Sequence, residues 1–88
     1  MNNIFNISIT KGISPALLDI KDVCAGRDAH DVASWIARQI SQRIGKFTQE
    51  KTIFVIELHD YITNEFMQWS SWTIWPNGVE FIGSQGKG

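Results

Sequence analysis

The 88-residue chain is 43% apolar and 19% charged, so it can enclose one small core, and a second domain is excluded. With 8 basic against 9 acidic side chains its net charge is −1, which argues against electrostatics as the main source of affinity for any partner. The longest strongly apolar run, Ile53 to Ile56, falls far short of the ~20 residues that cross a bilayer, so no membrane partner is expected.

Phe5, Ile7 and Ile9 alternate with Asn6, Ser8 and Thr10, the period of a strand buried on one face. Lys11-Gly12 and Ser14-Pro15 then signal a turn. Residues 16–23 allow two readings: Ser14 and Pro15 suit the start of a short helix, whereas Leu18 and Ile20 alternating with Asp19 and Lys21 suit a second strand. The strand is preferred because it completes a hairpin with the first.

Asp28 is a good N-cap, and Asp31 adds a carboxylate to the first helical turn. Ala29, Val32, Ala33, Ile36, Ala37, Ile40 and Ile44 then fall within an arc of roughly 140°, with Asp31, Ser34, Arg38, Ser41 and Gln42 opposite. Gly45 is expected to end this helix as a left-handed cap.

Beyond the polar link at 48–51, residues 52–59 form a strand with Phe54, Ile56 and Leu58 on one face and Ile53, Val55, Glu57 and His59 on the other. Residues 60–66 connect it to a strand at 67–75, Pro76-Asn77-Gly78 makes a hairpin turn, and residues 79–82 return. The expected domain is therefore α+β, one long helix on a mostly antiparallel sheet of four to five strands in the order ββαβββ. It spans residues 1–82, and the glycine-rich 83–88 reads as a flexible tail.

Candidate chemistry is sparse. Cys24, His30, Asp31, His59, Asp60 and Tyr61 are the groups an active site would draw on, yet no flanking motif joins Cys24 to His59 and Asp60 as a nucleophilic set. His30-Asp31 and His59-Asp60 lack metal-ligand spacing, and no glycine-rich phosphate loop is present. No cofactor and no catalysis are expected. A lone cysteine cannot form an internal disulfide, and the first ten residues lack the pattern of a secretory signal; both suit a cytoplasmic protein.

The tryptophans carry more information. Trp69 and Trp75 share parity with Met67, Ser71 and Thr73, whereas Trp72 points the other way with Ile74, unless a bulge near Ser70-Ser71 intervenes. If Trp72 joins the core, Trp69 and Trp75 lie on the outer face beside Ile53 and Val55. Trp35 sits about 60° outside the helix's apolar arc, on the polar flank. Exposed tryptophan among Met and β-branched residues is the composition of a protein interface, so Trp69, Trp75, Ile53, Val55, Trp35 and Met67 are the candidate contacts. The competing reading is that these rings simply fill a small core. A nucleic-acid surface at Arg38, Arg43, Lys46 and Lys51 is the alternative, set below protein binding because residues 52–86 contain four acids and no Lys or Arg.

In size and element order, with the helix opening at Asp28-Ala29-His30-Asp31 and the last hairpin at Pro76-Asn77-Gly78, the chain resembles small phage-encoded proteins, anti-CRISPR proteins among them. That resemblance implies an inhibitor that masks a surface of a host protein complex such as a CRISPR effector. The expected partner is another protein or a second copy of the chain.

Overall fold

The computed structural model describes residues 3–86. Strand β1 (Asn3–Lys11) is followed by a one-turn helix α1 (Pro15–Leu18), strand β2 (Val23–Gly26), the long helix α2 (Ala29–Arg43) and strands β3 (Thr52–Asp60), β4 (Phe66–Trp75) and β5 (Gly78–Gly86). The five strands form one sheet in the order β2-β1-β3-β4-β5, and every pairing is antiparallel. The fold is α+β, as the patterning predicts.

The expected strand at 16–23 is corrected. Pro15 presets the first helical turn, and Asp19 closes it in the left-handed region at φ 54°, its N–H bonded to the Pro15 carbonyl. Leu18 is thereby turned into the core at 2% exposure. The hairpin partner of β1 is formed further on, where Val23 pairs with Asn6 and Gly26 with Asn3.

In α2, the Asp28 side chain accepts the Asp31 N–H at 2.8 Å. Removing that cap with Asp28→Ala is expected to cost about 1 kcal/mol, seen as a fall of roughly 4–8 °C in Tm. An unchanged Tm would mean that the helix start is held by tertiary contacts alone. Val32, Ala33, Ile36, Ala37 and Ile40 are buried against Phe5, Ile7, Phe54, Ile56, Leu58, Trp72 and Ile74 of the sheet. Ser41, expected on the polar side, is buried as well, because there the helix passes over the β4–β5 turn and the hydroxyl donates to the Trp75 carbonyl at 2.8 Å. Gly45 does not take a left-handed conformation; the helix instead tightens into a 3₁₀ turn at Ile44–Lys46.

Three bulges set which side chains share a face. Thr10, Met67 and Ile82 are each the extra residue where a ladder shifts register. Between Gln68 and Ile74 the β3–β4 ladder is unbroken, so Trp72 and Ile74 face the helix while Trp69 and Trp75 face away. In the β4–β5 turn Asn77 supplies the positive φ, 64°, and Gly78 already pairs with Trp75. The tail expected from residue 83 is also corrected: β5 stays paired with β4 as far as Gly86, opposite Gln68. Lys87 and Gly88 lie outside the described residues.

Candidate functional site

Leu18 of α1 and the apolar side of α2 join one core on one side of the sheet. Among the described residues no helix lies over the other side. By register, Ile53 stands opposite Thr73, Val55 opposite Ser71, Glu57 opposite Trp69 and His59 opposite Phe66 on that outer face. Ile53 is 45% exposed, Phe66 40% and Trp69 36%, while Val55 at their centre is buried. At the same end of the sheet as Phe66, Ile62 stands 88% exposed on the β3–β4 loop. Two backbone N–H groups, of Ile62 and Thr63, donate to Asp60 Oδ1 at 2.9 Å each and set the shape of that loop. These bonds also hold the Asp60 carboxyl below the usual carboxylate range.

Polar groups frame the apolar centre. His59 Nε2 lies 2.7 Å from Glu57 Oε2, its Nδ1 lies 3.3 Å from the Asn64 carbonyl, and its ring meets Phe66 edge-on at 5.9 Å. A carboxylate and a carbonyl both accept, so both bonds are made only by the doubly protonated ring. The bond to Glu57 raises the His59 pKa above its ordinary value; partial burial opposes this, and the Asn64 carbonyl assists. A raised folded-state pKa gives stability that is complete below the unfolded value of about 6.5 and is lost as pH rises through the folded one. The urea midpoint is therefore expected to fall from about pH 6 to pH 8, and His59→Gln to flatten that fall. An identical slope in the variant would remove His59 from the account.

At the opposite corner the Trp75 indole lies across Gly78, so close that a β-carbon there would sit 2.3 Å from the ring. Lys51 Nζ lies 4.5 Å from the Trp75 ring centroid, a cation–π contact. Trp75 is thus on the outer face but partly buried.

Four of the six candidate contacts, Trp69, Trp75, Ile53 and Val55, share this face. Two do not. Met67 is the bulged residue and packs against the helix-side core. Trp35 is exposed on α2, beside Asp19, Ile20, Lys21, Gln39 and Arg43, on the other side of the sheet. Phe66 and Ile62 belong to the site although their segment reads as a simple connection; the signal was an aromatic and an isoleucine too apolar for a plain loop.

The basic candidates are divided. Arg38 bonds Ser34 and borders β5, Arg43 bonds Gln39 beside Trp35, Lys46 borders Phe47 and Leu17, and Lys51 lies on Trp75. Cys24 points to the helix side while His59 points outward, and β1 separates Cys24 from Asp60, both of which pair with Phe5. Burial pushes the Cys24 thiol up and Asp31 adds to this, against Lys21; a nucleophile needs the reverse. Among the described residues no three His, Cys, Asp or Glu side chains form a metal-binding group, and no helix is long and apolar enough to cross a membrane. No protein-family model matches the chain, and no curated protein or solved structure is found to be similar to it.

Proposed function

We propose that the protein is a non-catalytic binding module that covers a surface of another protein with its outer sheet face. One observation carries this reading: Ile53, Phe66 and Trp69 stand 36–45% exposed around the buried Val55 on a face that no helix among the described residues covers. A small domain gains stability by burying such side chains, and leaving them at the surface is characteristic of an interaction site. The dimensions fit. Four strands of nine or ten residues and one of four, at about 4.8 Å spacing and about 3.3 Å per residue, give a face of roughly 650 Å², near the ~800 Å² that one partner buries in a standard interface. The apolar centre and the frame of Glu57, His59, Lys51 and Glu80 repeat the arrangement of such interfaces. The resemblance in size and element order to small phage-encoded inhibitors supports a host protein complex as the partner and inhibition by masking as the outcome, in the cytoplasm.

The test is affinity capture from the host lysate with parallel light scattering. Trp69→Ala is expected to weaken the captured partner about 30-fold, the effect of losing a hot-spot residue worth ~2 kcal/mol. The pair Arg43→Glu and Lys46→Glu, on cations remote from that face, is expected to leave it bound. The reverse pattern, with binding to DNA or RNA that weakens steeply with salt, would replace this reading with a nucleic-acid one.

A further inference from the structure

The two edges of the sheet are protected unequally. β2 is four residues long and lies between Lys21 and Arg27, whereas β5 runs nine residues, Gly78–Gly86, with a single charge, Glu80, and neither proline nor lysine. Folded proteins ordinarily blunt such an edge with charge, proline or cover. Gly78 faces Trp75 across a two-residue turn, so in an antiparallel ladder Gly78 and Glu80 direct their peptide groups to β4, and Val79 and Phe81 direct theirs outward. The bulge at Ile82 then bends the edge, leaving Gly78–Phe81 as a short straight run.

Beside this run, on the helix side, a groove of about 370 Å³ is bordered by Arg38, Ser41 and Gln42 of α2 and by Asn77, Gly78 and Val79. No carboxylate lines it. Arg38 bonds the Ser34 hydroxyl at 2.7 Å, and no acidic partner of its guanidinium is found among the described residues. Two residues along from Val79, Phe81 is 45% exposed, with its ring 4.9 Å from Trp72 and 5.1 Å from His30.

We propose that this edge and groove take up a short extended segment of a partner protein as a sixth strand, with an apolar side chain against Phe81 and His30 and an acidic one against Arg38. Side chains two apart on a strand share a face and lie about 7 Å apart, the separation of Val79 and Phe81. The segment's backbone bonds the outward peptide groups and the two pockets choose its sequence, the division of labour in strand addition. Charge complementarity selects the acid. Charge also selects a foreign segment over a second copy, because Glu80, the single acid of β5, stands opposite Thr73 on the outer face, so a copy's edge brings no acid to Arg38. This surface is separate from the outer face.

The probes are capped hexapeptides of alternating valine and threonine. One carries phenylalanine and aspartate two residues apart, a second has lysine for the aspartate, and a third repeats the first with N-methylated amides. Each is titrated into isotope-labelled protein, and amide shifts are read by NMR. The aspartate peptide is expected to move the Val79 and Phe81 amides and to bind at least about tenfold tighter than the lysine peptide. N-methylation is expected to abolish binding. Arg38 is exposed, so Arg38→Glu is expected to keep the fold and to reverse the preference. Equal binding of the two charged peptides, retained binding after N-methylation, or shifts confined to Ile53 and Trp69 would overturn the proposal. So would a concentration-dependent dimer that the aspartate peptide disperses, since a second copy would then be the occupant.

Discussion

Gly12→Ala is expected to destabilise the protein by about 3–5 kcal/mol, the sum of a backbone conformation nearly closed to other residues and an overpacked core. Gly12 lies at φ 118°, just past the end of β1, where the chain turns toward α1. A β-carbon on it would sit 2.2 Å from Phe54 Cδ2 and 2.8 Å from Cγ. The ring cannot swing away, because Phe54 is fully buried among the strands and α2. Either the turn or the central strand must move. For a domain of this size the loss corresponds to a fall of roughly 20 °C in Tm, much of the 5–15 kcal/mol that holds a typical domain together. Gly83→Ala is the control: it has open space within 4 Å and no positive φ, so a change within about 0.5 kcal/mol is expected. Equal melting of the two variants would show that the Gly12 turn adapts.

Gly12 also illustrates what local sequence can and cannot express. Lys11-Gly12 reads as a turn from residue types alone, but the aromatic ring that makes glycine obligatory there comes from a strand forty residues later. The same division recurs through the molecule. The apolar arc of α2 and its Asp28 cap were legible because both are local: a 3.6-residue period and a side chain meeting an N–H three residues on. The parity of Trp69 and Trp72 was legible because no bulge breaks β4 between them. Met67 was misplaced for the opposite reason, since a bulge is decided by the ladder with β3 and leaves no mark in the strand's own composition. Its displacement also hid Phe66, which takes the outer-face position opposite His59.

Residues 83–86 read as a tail because glycine and serine have little strand propensity, yet pairing with the stiff, aromatic β4 supplies the order they lack. The helical wheel puts Ser41 outside the apolar arc, yet a carbonyl from the β4–β5 turn satisfies its hydroxyl inside. By charge alone Arg38 groups with Arg43, Lys46 and Lys51. Its position beside a free strand edge depends on how α2 crosses the sheet, which no local pattern encodes.

The two tryptophans of β4 give the sharpest separation of stability from binding. Trp72 is 3% exposed, its Nε1 donates to the Ser70 hydroxyl at 2.8 Å, and its ring lies 5.9 Å from His30 and 4.9 Å from Phe81. Trp72→Ala is expected to cost about 3–5 kcal/mol through the cavity it leaves. Trp72→Phe keeps most of the ring but leaves the fully buried Ser70 hydroxyl without its donor, about 1–3 kcal/mol. Trp69, three residues earlier on the other face, is 36% exposed, and Trp69→Ala is expected to cost about 1–2 kcal/mol, the share of its ring that is buried. Urea unfolding followed by circular dichroism measures all three. The partner is expected to respond in the opposite order, since Trp69 offers its free surface to an incoming protein while Trp72 is already enclosed. Should Trp69→Ala destabilise the chain as much as Trp72→Ala, its ring would be a structural element of the monomer, and the outer face would lose the residue on which a docking role most depends.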